Sequence, residues 1–206
     1  KLKVRAADYP ASNRNATLQR RDDLSTNGVV RLNKCLPPDM CEAILSDINH
    51  QLNSLESGRC GSRTRAEGFG GVLARENRYD AYQRPTGSTE AALDYLLRPE
   101  TKVGESGASK GALGSLLEAV FEGIEGAPLT ELSVLVSDPG APRQQLHPDN
   151  MFQDVCPVYT VFVALQDITE DMGPTVFLPR TNTKQAHEDF NAGSAAYLVE
   201  QCLVGD

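Results

Sequence analysis

The sequence changes character near Gly126, from helix-like periodicity before this residue to strand-like patterns after it. Before Gly126, apolar residues recur every three or four positions in two segments, and this spacing puts them on one helical face. The apolar positions are Met40, Ile44, Ile48, Leu52 and Leu55 in one segment, and Leu113, Leu116, Leu117, Val120, Phe121 and Ile124 in the other. After Gly126, alternating patterns and β-branched runs predominate. Helices followed by strands predict an α+β fold, with helices packed on a β-barrel or sandwich.

Turn and capping residues set the bounds of the predicted elements. Helices are predicted over 38–58, 90–97 and 110–124, and strands over 28–32, 131–137, 158–165 and 175–178. The stretch 58–88 is rich in Gly and Arg, which predicts a loop. Residues 1–24 are polar and lack periodicity, so we expect an extended N-terminal arm ahead of one domain over 25–206.

Composition argues against several functions and locations. A net charge of -8 over 206 residues disfavours non-specific nucleic-acid binding, and no apolar run has the length of a membrane-spanning helix. Five cysteines without a C-x-x-C pair favour reduced thiols in an intracellular compartment over a disulfide framework or a zinc site. Residues 1–21 carry six basic side chains and one acidic one, Asp8. That stretch is either the remnant of a plastid or mitochondrial transit peptide or a solvated extension.

The tripeptide His147-Pro148-Asp149 is the candidate metal site. Pro148 bars the segment from a helix interior, and alternate residues of an extended segment point to the same face. One imidazole and one carboxylate would then converge on a single point. They supply two of the three ligands of the two-His-one-carboxylate triad that holds non-haem Fe(II). The positions left open on such an iron can take a bidentate 2-oxoacid and O2.

Other candidate residues are assigned from their position or their charge. Gln144, Tyr159 and Phe162 are predicted from strand position to line the pocket that holds the co-substrate. Arg75 and Arg78 either contact an anionic group of the substrate or belong to a solvated loop.

Four stretches together resemble the phytanoyl-CoA dioxygenase family of Fe(II)/2-oxoglutarate oxygenases. They are Gly28-Val29-Val30-Arg31-Leu32 with the helix that follows it, Ser137 to Asp149, Val161 to Ile168, and Gly173 to Thr181. The last is similar to the family's "Gly…Leu-Pro-Gly-Ser/Thr-His" segment, with Asn182 where a histidine is usual. The resemblance implies a double-stranded β-helix (jelly-roll) core with helices on one side, and an iron held by His147 and Asp149. It also implies 2-oxoglutarate as co-substrate.

The resemblance also predicts residues that this sequence does not show. In the family, a second iron histidine and an arginine for 2-oxoglutarate follow a Gly-Asp pair that looks like Gly205-Asp206. We therefore expect the last strands of the jelly-roll to be missing. His187 could replace the absent ligand on spacing alone, or it is a surface or substrate-side histidine.

The leading functional hypothesis is an oxygenase that hydroxylates a small organic substrate. The alternative is an inactive dioxygenase-like fold that serves as a structural or interaction subunit, with a protein partner covering the incomplete C-terminal edge. A cupin-type metal protein ranks last, because the chain has only three histidines.

Overall fold

The computed structural model describes residues 14–56, 70–71, 76–98, 111–122, 127–155, 157–194 and 196. In chain order the elements are α1 (Arg14–Asn27), α2 (Pro38–Glu56), β1 (Gly70–Gly71), β2 (Arg78–Tyr82), α3 (Ser88–Leu97), α4 (Ala112–Val120), β3 (Ser133–Ser137), a 3-10 turn (Glu170–Met172) and α5 (Lys184–Asn191). The described residues are therefore α+β, as predicted. The predicted order of helices first and strands second is wrong, because β1 and β2 precede α3 and α4, and α5 follows β3.

The three strands form one antiparallel sheet in the order β1-β2-β3. Tyr79 and Ala81 of β2 lie opposite Val136 and Val134 of β3, and these four side chains face the core. The intervening residues point to the other face, where Arg78 lies opposite Ser137. Because strand side chains alternate, this register separates an apolar face from a polar one.

Helix α2 covers the apolar face of the sheet. Ile44, Ile48 and Leu52 are buried there with Ala92 of α3, so the stripe predicted from spacing is confirmed at these positions. Pro38 opens the helix, where its missing N–H costs nothing. The predicted stop at Gly58 lies outside the described residues.

Helix α4 packs closely against the end of α3. Leu113 and Leu116 are buried, as the second stripe predicts. A methyl group at Gly114 would overlap the backbone carbonyl of Leu97, so only glycine allows this approach. The described helix, Ala112–Val120, is shorter than the predicted 110–124.

The prediction of an extended arm over residues 1–24 is wrong from Arg14 onward, because α1 occupies Arg14–Asn27. Its sequence is polar all round, so no apolar stripe marks it. The helix is held instead by packing against α4, with Arg20 buried, and by local bonds such as Gln19 to Asp23 at 3.0 Å. Residues 1–13 lie outside the described residues.

Two further predictions of element type are wrong. The predicted loop over 58–88 contains the central strand β2, whose alternation covers only five residues inside a stretch rich in Gly and Arg. The predicted strand over 28–32 is not formed, because Gly28 ends α1 instead. Gly28 has a φ of 71° and donates its N–H to the Leu24 carbonyl at 2.8 Å, which is a left-handed helix cap.

The jelly-roll implied by the resemblance is not formed within the described residues. The strands predicted over 158–165 and 175–178 are not formed there, and many of their apolar side chains are exposed. Val176 in the second segment is 65% exposed, and Val155, just before the first, is 86% exposed. No helix in the part of the chain that the structure describes is long and apolar enough to cross a membrane.

Candidate functional site

His147 and Asp149 lie side by side in the irregular chain that follows β3. His147 Nε2 is 3.8 Å from Asp149 Oδ1, and the two side chains are 35% and 45% exposed. This distance shows that the two groups lie on one side of the segment, as their spacing predicts. The pair is open to solvent, so ions and small molecules can reach it.

The ring of His147 is oriented by a backbone carbonyl two residues earlier in the chain. Its Nδ1 lies 2.7 Å from the Gln145 carbonyl oxygen. A carbonyl can only accept a hydrogen bond, so Nδ1 carries the proton. In the neutral ring the lone pair is then on Nε2, which faces Asp149. Metal-binding histidines are commonly fixed in this way, with one nitrogen bonded to a carbonyl and the other directed at the ion.

The separation of the two donor atoms suits a single metal ion. Imidazole nitrogen and carboxylate oxygen bind a first-row metal such as zinc at about 2.0–2.2 Å, so two donors of one ion lie within about 4.3 Å of each other. The observed distance of 3.8 Å is inside that limit. Adjacent positions of an octahedral ion are only about 3.0 Å apart, so the two groups must move closer together to bind one ion as neighbouring ligands. Imidazole and carboxylate are also the ligand types of non-haem Fe(II) sites.

A third ligand is not assembled in the part of the chain that the structure describes. No three His, Cys, Asp or Glu side chains there form a group that could hold a metal. His187 instead lies on α5, with its ring 5.7 Å from the ring of Phe152. Among the described residues, His187 therefore does not form such a group with His147 and Asp149.

The predicted pocket residues make separate contacts in the described structure. The rings of Tyr159 and Phe121 pack edge-to-face beside the end of α4, with their centroids 5.6 Å apart. Phe162 meets Phe177 at 6.2 Å and is 54% exposed, while Gln144 is half-buried. Their role toward a co-substrate stays a prediction.

The two predicted substrate arginines have different outcomes. Arg75 lies outside the described residues. Arg78 is the first residue of β2, where its Nε donates to Ser137 Oγ at 3.1 Å and its Nη1 donates to the Pro142 carbonyl at 3.2 Å. These bonds give Arg78 a clear place within the chain, whereas its role toward a substrate remains a prediction.

The segment from Leu178 to Asn182, the Leu-Pro segment, makes contacts that the sequence does not reveal. Arg180, at the position of the family's glycine, has a φ of 65°, and its N–H donates to the Asn27 carbonyl at 2.8 Å. Asn182, at the position of the usual histidine, donates to the Ser25 carbonyl at 2.9 Å. Both bonds satisfy carbonyls at the end of α1. The unusual asparagine at 182 was the signal available in the sequence. It did not reveal the contact, because helix α1 was not predicted.

A separate cleft of about 340 Å³ lies between α2 and the chain leading into α3. It is lined mainly by polar residues, including Asp47, His50, Gln51 and Gln83, and neither His147 nor Asp149 borders it. Ser88, at the start of α3, donates its hydroxyl to Asp47. The Asp47 carboxylate of α2 thus lies at the N-terminus of α3, where a negative charge is favourable, and the contact links the two helices.

Two cysteines are described, and both are free thiols. Burial raises the pKa of Cys35, and the nearby Arg20 guanidinium lowers it by a smaller amount. Burial also raises the pKa of Cys41, assisted by the negative charges of Asp39 and Glu42. Both side chains therefore stay protonated near neutral pH. The other three cysteines, Cys60, Cys156 and Cys202, lie outside the described residues.

The fold and the site together define an α+β protein in which an imidazole and a carboxylate lie side by side after the last strand. The family model of phytanoyl-CoA dioxygenase (PhyH) matches residues 24–197, which is most of the chain. The chain therefore belongs to the phytanoyl-CoA dioxygenase family, as the sequence resemblance predicts. No curated protein and no solved structure matches it.

Proposed function

We propose that the protein is an Fe(II)- and 2-oxoglutarate-dependent oxygenase that hydroxylates a small organic substrate. Family membership supports the reaction class, because members typically use Fe(II) and 2-oxoglutarate. The observation that carries the proposal for this chain is the His147–Asp149 pair, with Nε2 and Oδ1 3.8 Å apart. The pair is accessible to ions, and the bond from His147 Nδ1 to a carbonyl leaves Nε2 as the nitrogen that can bind one.

Each residue of the pair has a defined task in the proposed site. His147 binds the ion through Nε2, while the Gln145 carbonyl holds its ring in place through Nδ1. Asp149 supplies the carboxylate, whose charge offsets that of a divalent ion. When bound, Fe(II) with 2-oxoglutarate supplies O2 activation, in which the co-substrate loses CO2 and becomes succinate while the substrate gains one oxygen atom.

The proposal extends to the surroundings of the pair. The family has a jelly-roll fold, and we propose the apolar segments 158–165 and 175–178 as two of its strands in this chain. Gln144, Tyr159 and Phe162 are proposed to face the co-substrate pocket, and Arg75 to meet an anionic part of the substrate. Asn150 Nδ2 donates to Thr160 Oγ1 at 3.2 Å, which ties the metal-binding segment to the first of these strands.

Metal binding by single variants tests the proposal directly. We expect His147→Ala and Asp149→Ala to weaken Co(II) or Fe(II) binding, measured anaerobically by calorimetry, by more than the 10- to 100-fold that loss of an outer-shell partner costs. Succinate formation from 2-oxoglutarate should fall in parallel. Loss of a direct ligand removes a bond to the ion, whereas the fold around this exposed pair needs neither side chain.

Two other histidines provide matched controls. His50 and His187 each lie on a helix away from the pair, so His50→Ala and His187→Ala should retain metal affinity within about twofold of the unmodified chain. Unchanged metal affinity and unchanged succinate formation in His147→Ala would overturn the proposed function. A large loss in His187→Ala would instead make His187 a ligand.

A further inference from the structure

The turn between β3 and the metal-binding pair is docked on the start of β2. The Asp138 N–H donates to the Asn77 carbonyl at 2.8 Å, and the Ala141 N–H donates back to the Asp138 carbonyl at 3.1 Å. Gly140 has a φ of 88° and lies so close to Asn77 that an added Cβ would be 3.2 Å from its side-chain amide nitrogen. The turn therefore lies in close contact with the residue that precedes β2.

Arg78 joins the two ends of this turn. Its Nε bonds to Ser137, the last residue of β3, and its Nη1 bonds to the carbonyl of Pro142, where the turn ends. A guanidinium is a planar, rigid fork, so both bonds form at once and set the distance between the two ends. A lysine ammonium, which is a compact point charge on a flexible stem, cannot impose that geometry.

The metal-binding segment is held at both of its ends by side-chain hydrogen bonds. Pro142 is fixed by Arg78, and Asn150 is fixed by Thr160 at 3.2 Å. Residues 143–149 span the interval between these anchors and include both His147 and Asp149. A metal site needs its ligands held within a fraction of an ångström, and a segment without ladder bonds must take that precision from its ends.

We propose that Arg78 is a positioning residue for the metal site, which holds the 138–142 turn so that His147 and Asp149 meet one ion. The sequence offered Arg78 as a substrate contact. Two of its three guanidinium nitrogens donate within the chain, and this favours an internal role. The inference rests on the proposed function for the identity of the site, but the tie between Arg78 and the turn is independent of any metal.

Amide hydrogen exchange and Co(II) binding on the full chain test the proposal. In Arg78→Gln we expect faster exchange over 138–149, a tenfold or greater loss of Co(II) affinity, and altered d–d bands of bound Co(II). Loss of a residue that bonds directly to a metal ligand costs about 10- to 100-fold, and Arg78, which acts on the ligands through the turn, is expected at the lower end of that range. Arg78→Lys should recover only part of the affinity. Ser137→Ala removes one of the two bonds and should show the same changes at smaller amplitude, which guards against a folding defect in Arg78→Gln.

Arg143 provides the matched control, because it is an exposed arginine at the start of the same segment. Arg143→Gln makes the same change in charge and should leave exchange and Co(II) affinity unchanged. Equal losses in both variants would reduce the effect to charge alone and overturn the proposal. Unchanged exchange over 138–149 in Arg78→Gln would also overturn it, as would intact Co(II) affinity combined with a raised KM for substrate. If His147→Ala still binds Co(II), the proposed function fails, and exchange alone decides the role of Arg78.

Discussion

Arg180 carries the clearest local strain among the residues of the site region. Its φ of 65° is in the left-handed region, which costs an L-residue about 1–2 kcal/mol. The strain is tolerated because the Arg180 N–H reaches the Asn27 carbonyl at the end of α1. The backbone bond therefore explains why a glycine-like conformation persists at an arginine.

Replacing Arg180 by glycine should stabilise the protein. Arg180→Gly relieves the strained φ, and the greater freedom of glycine in the unfolded chain offsets part of the gain, leaving about 0.5–1 kcal/mol in the free energy of unfolding. Urea denaturation measures this change. Arg180→Ala removes the same side chain but keeps the strain, so it should give no stabilisation. Equal gains in both variants would mean that the side chain, not the backbone, is responsible.

Helix α1 shows how an element can lack a sequence signal and still be well anchored. Its end is closed by Gly28 and by Asn182, which belong to chain segments far apart in sequence. The Cβ of a residue at 28 would lie 2.7 Å from the Cβ of Asn182, at a φ of 71°. Crowding and backbone conformation together therefore require glycine at this position.

A pair of glycine substitutions separates these two effects. Gly28→Ala should lower the free energy of unfolding by about 2–4 kcal/mol, because it adds a steric overlap to a strained φ. Gly87 has a φ of 59° with open space around it, so Gly87→Ala should cost only about 1–2 kcal/mol. Chemical denaturation compares the two. Equal costs would indicate that Asn182 moves aside and does not hold α1 in place.

The elements that the sequence predicts correctly are those whose pattern survives in one segment. The α2 stripe turns Ile44, Ile48 and Leu52 to the core. The alternation of β3 turns Val134 and Val136 to it, although Leu135 between them is exposed. Helix α1 is missed because it has no apolar stripe and packs on a distant helix, and strand β2 because its five-residue alternation lies in a stretch rich in Gly and Arg. The strand predicted over 28–32 fails for a related reason, because Gly28 is used as a helix cap.

The candidate site divides in the same way. The proximity of His147 and Asp149 is local and follows from a spacing of two residues. The bond from Arg78 to Pro142 joins residues 64 positions apart, so no nearby pattern announces it. The charge of Arg78 predicted a polar role, but only the paired strands β2 and β3 identify which group it contacts.

At the scale of the whole molecule, apolar side chains are unevenly distributed. Buried ones cluster between α2, α3 and the sheet, whereas exposed ones are concentrated after His147. Apolar surface on this scale favours association and binding of apolar dyes. The described part of the chain thus combines a packed half with a half rich in water-exposed apolar groups.

Charged substitutions at the most exposed valines should improve solubility without loss of stability. We expect Val155→Glu with Val176→Glu to lower dye (ANS) fluorescence and self-association in sedimentation, with the free energy of unfolding changed by less than about 0.5 kcal/mol. The control Ile48→Ala, at a side chain only 5% exposed, should cost about 2–5 kcal/mol. A loss of similar size in the double glutamate variant would show that these valines are packed in solution.

The closure of α1 by Asn182 also has a consequence for synthesis on the ribosome. The bond from Asn182 to the Ser25 carbonyl spans 157 positions. At about 5–20 residues per second, Asn182 is added roughly 8–30 s after Ser25. During that interval the last carbonyls of α1 have only water or transient partners, so the helix end should fray until the Leu-Pro segment arrives. Among the described helices, the earliest in the chain is thus among the last to be completed.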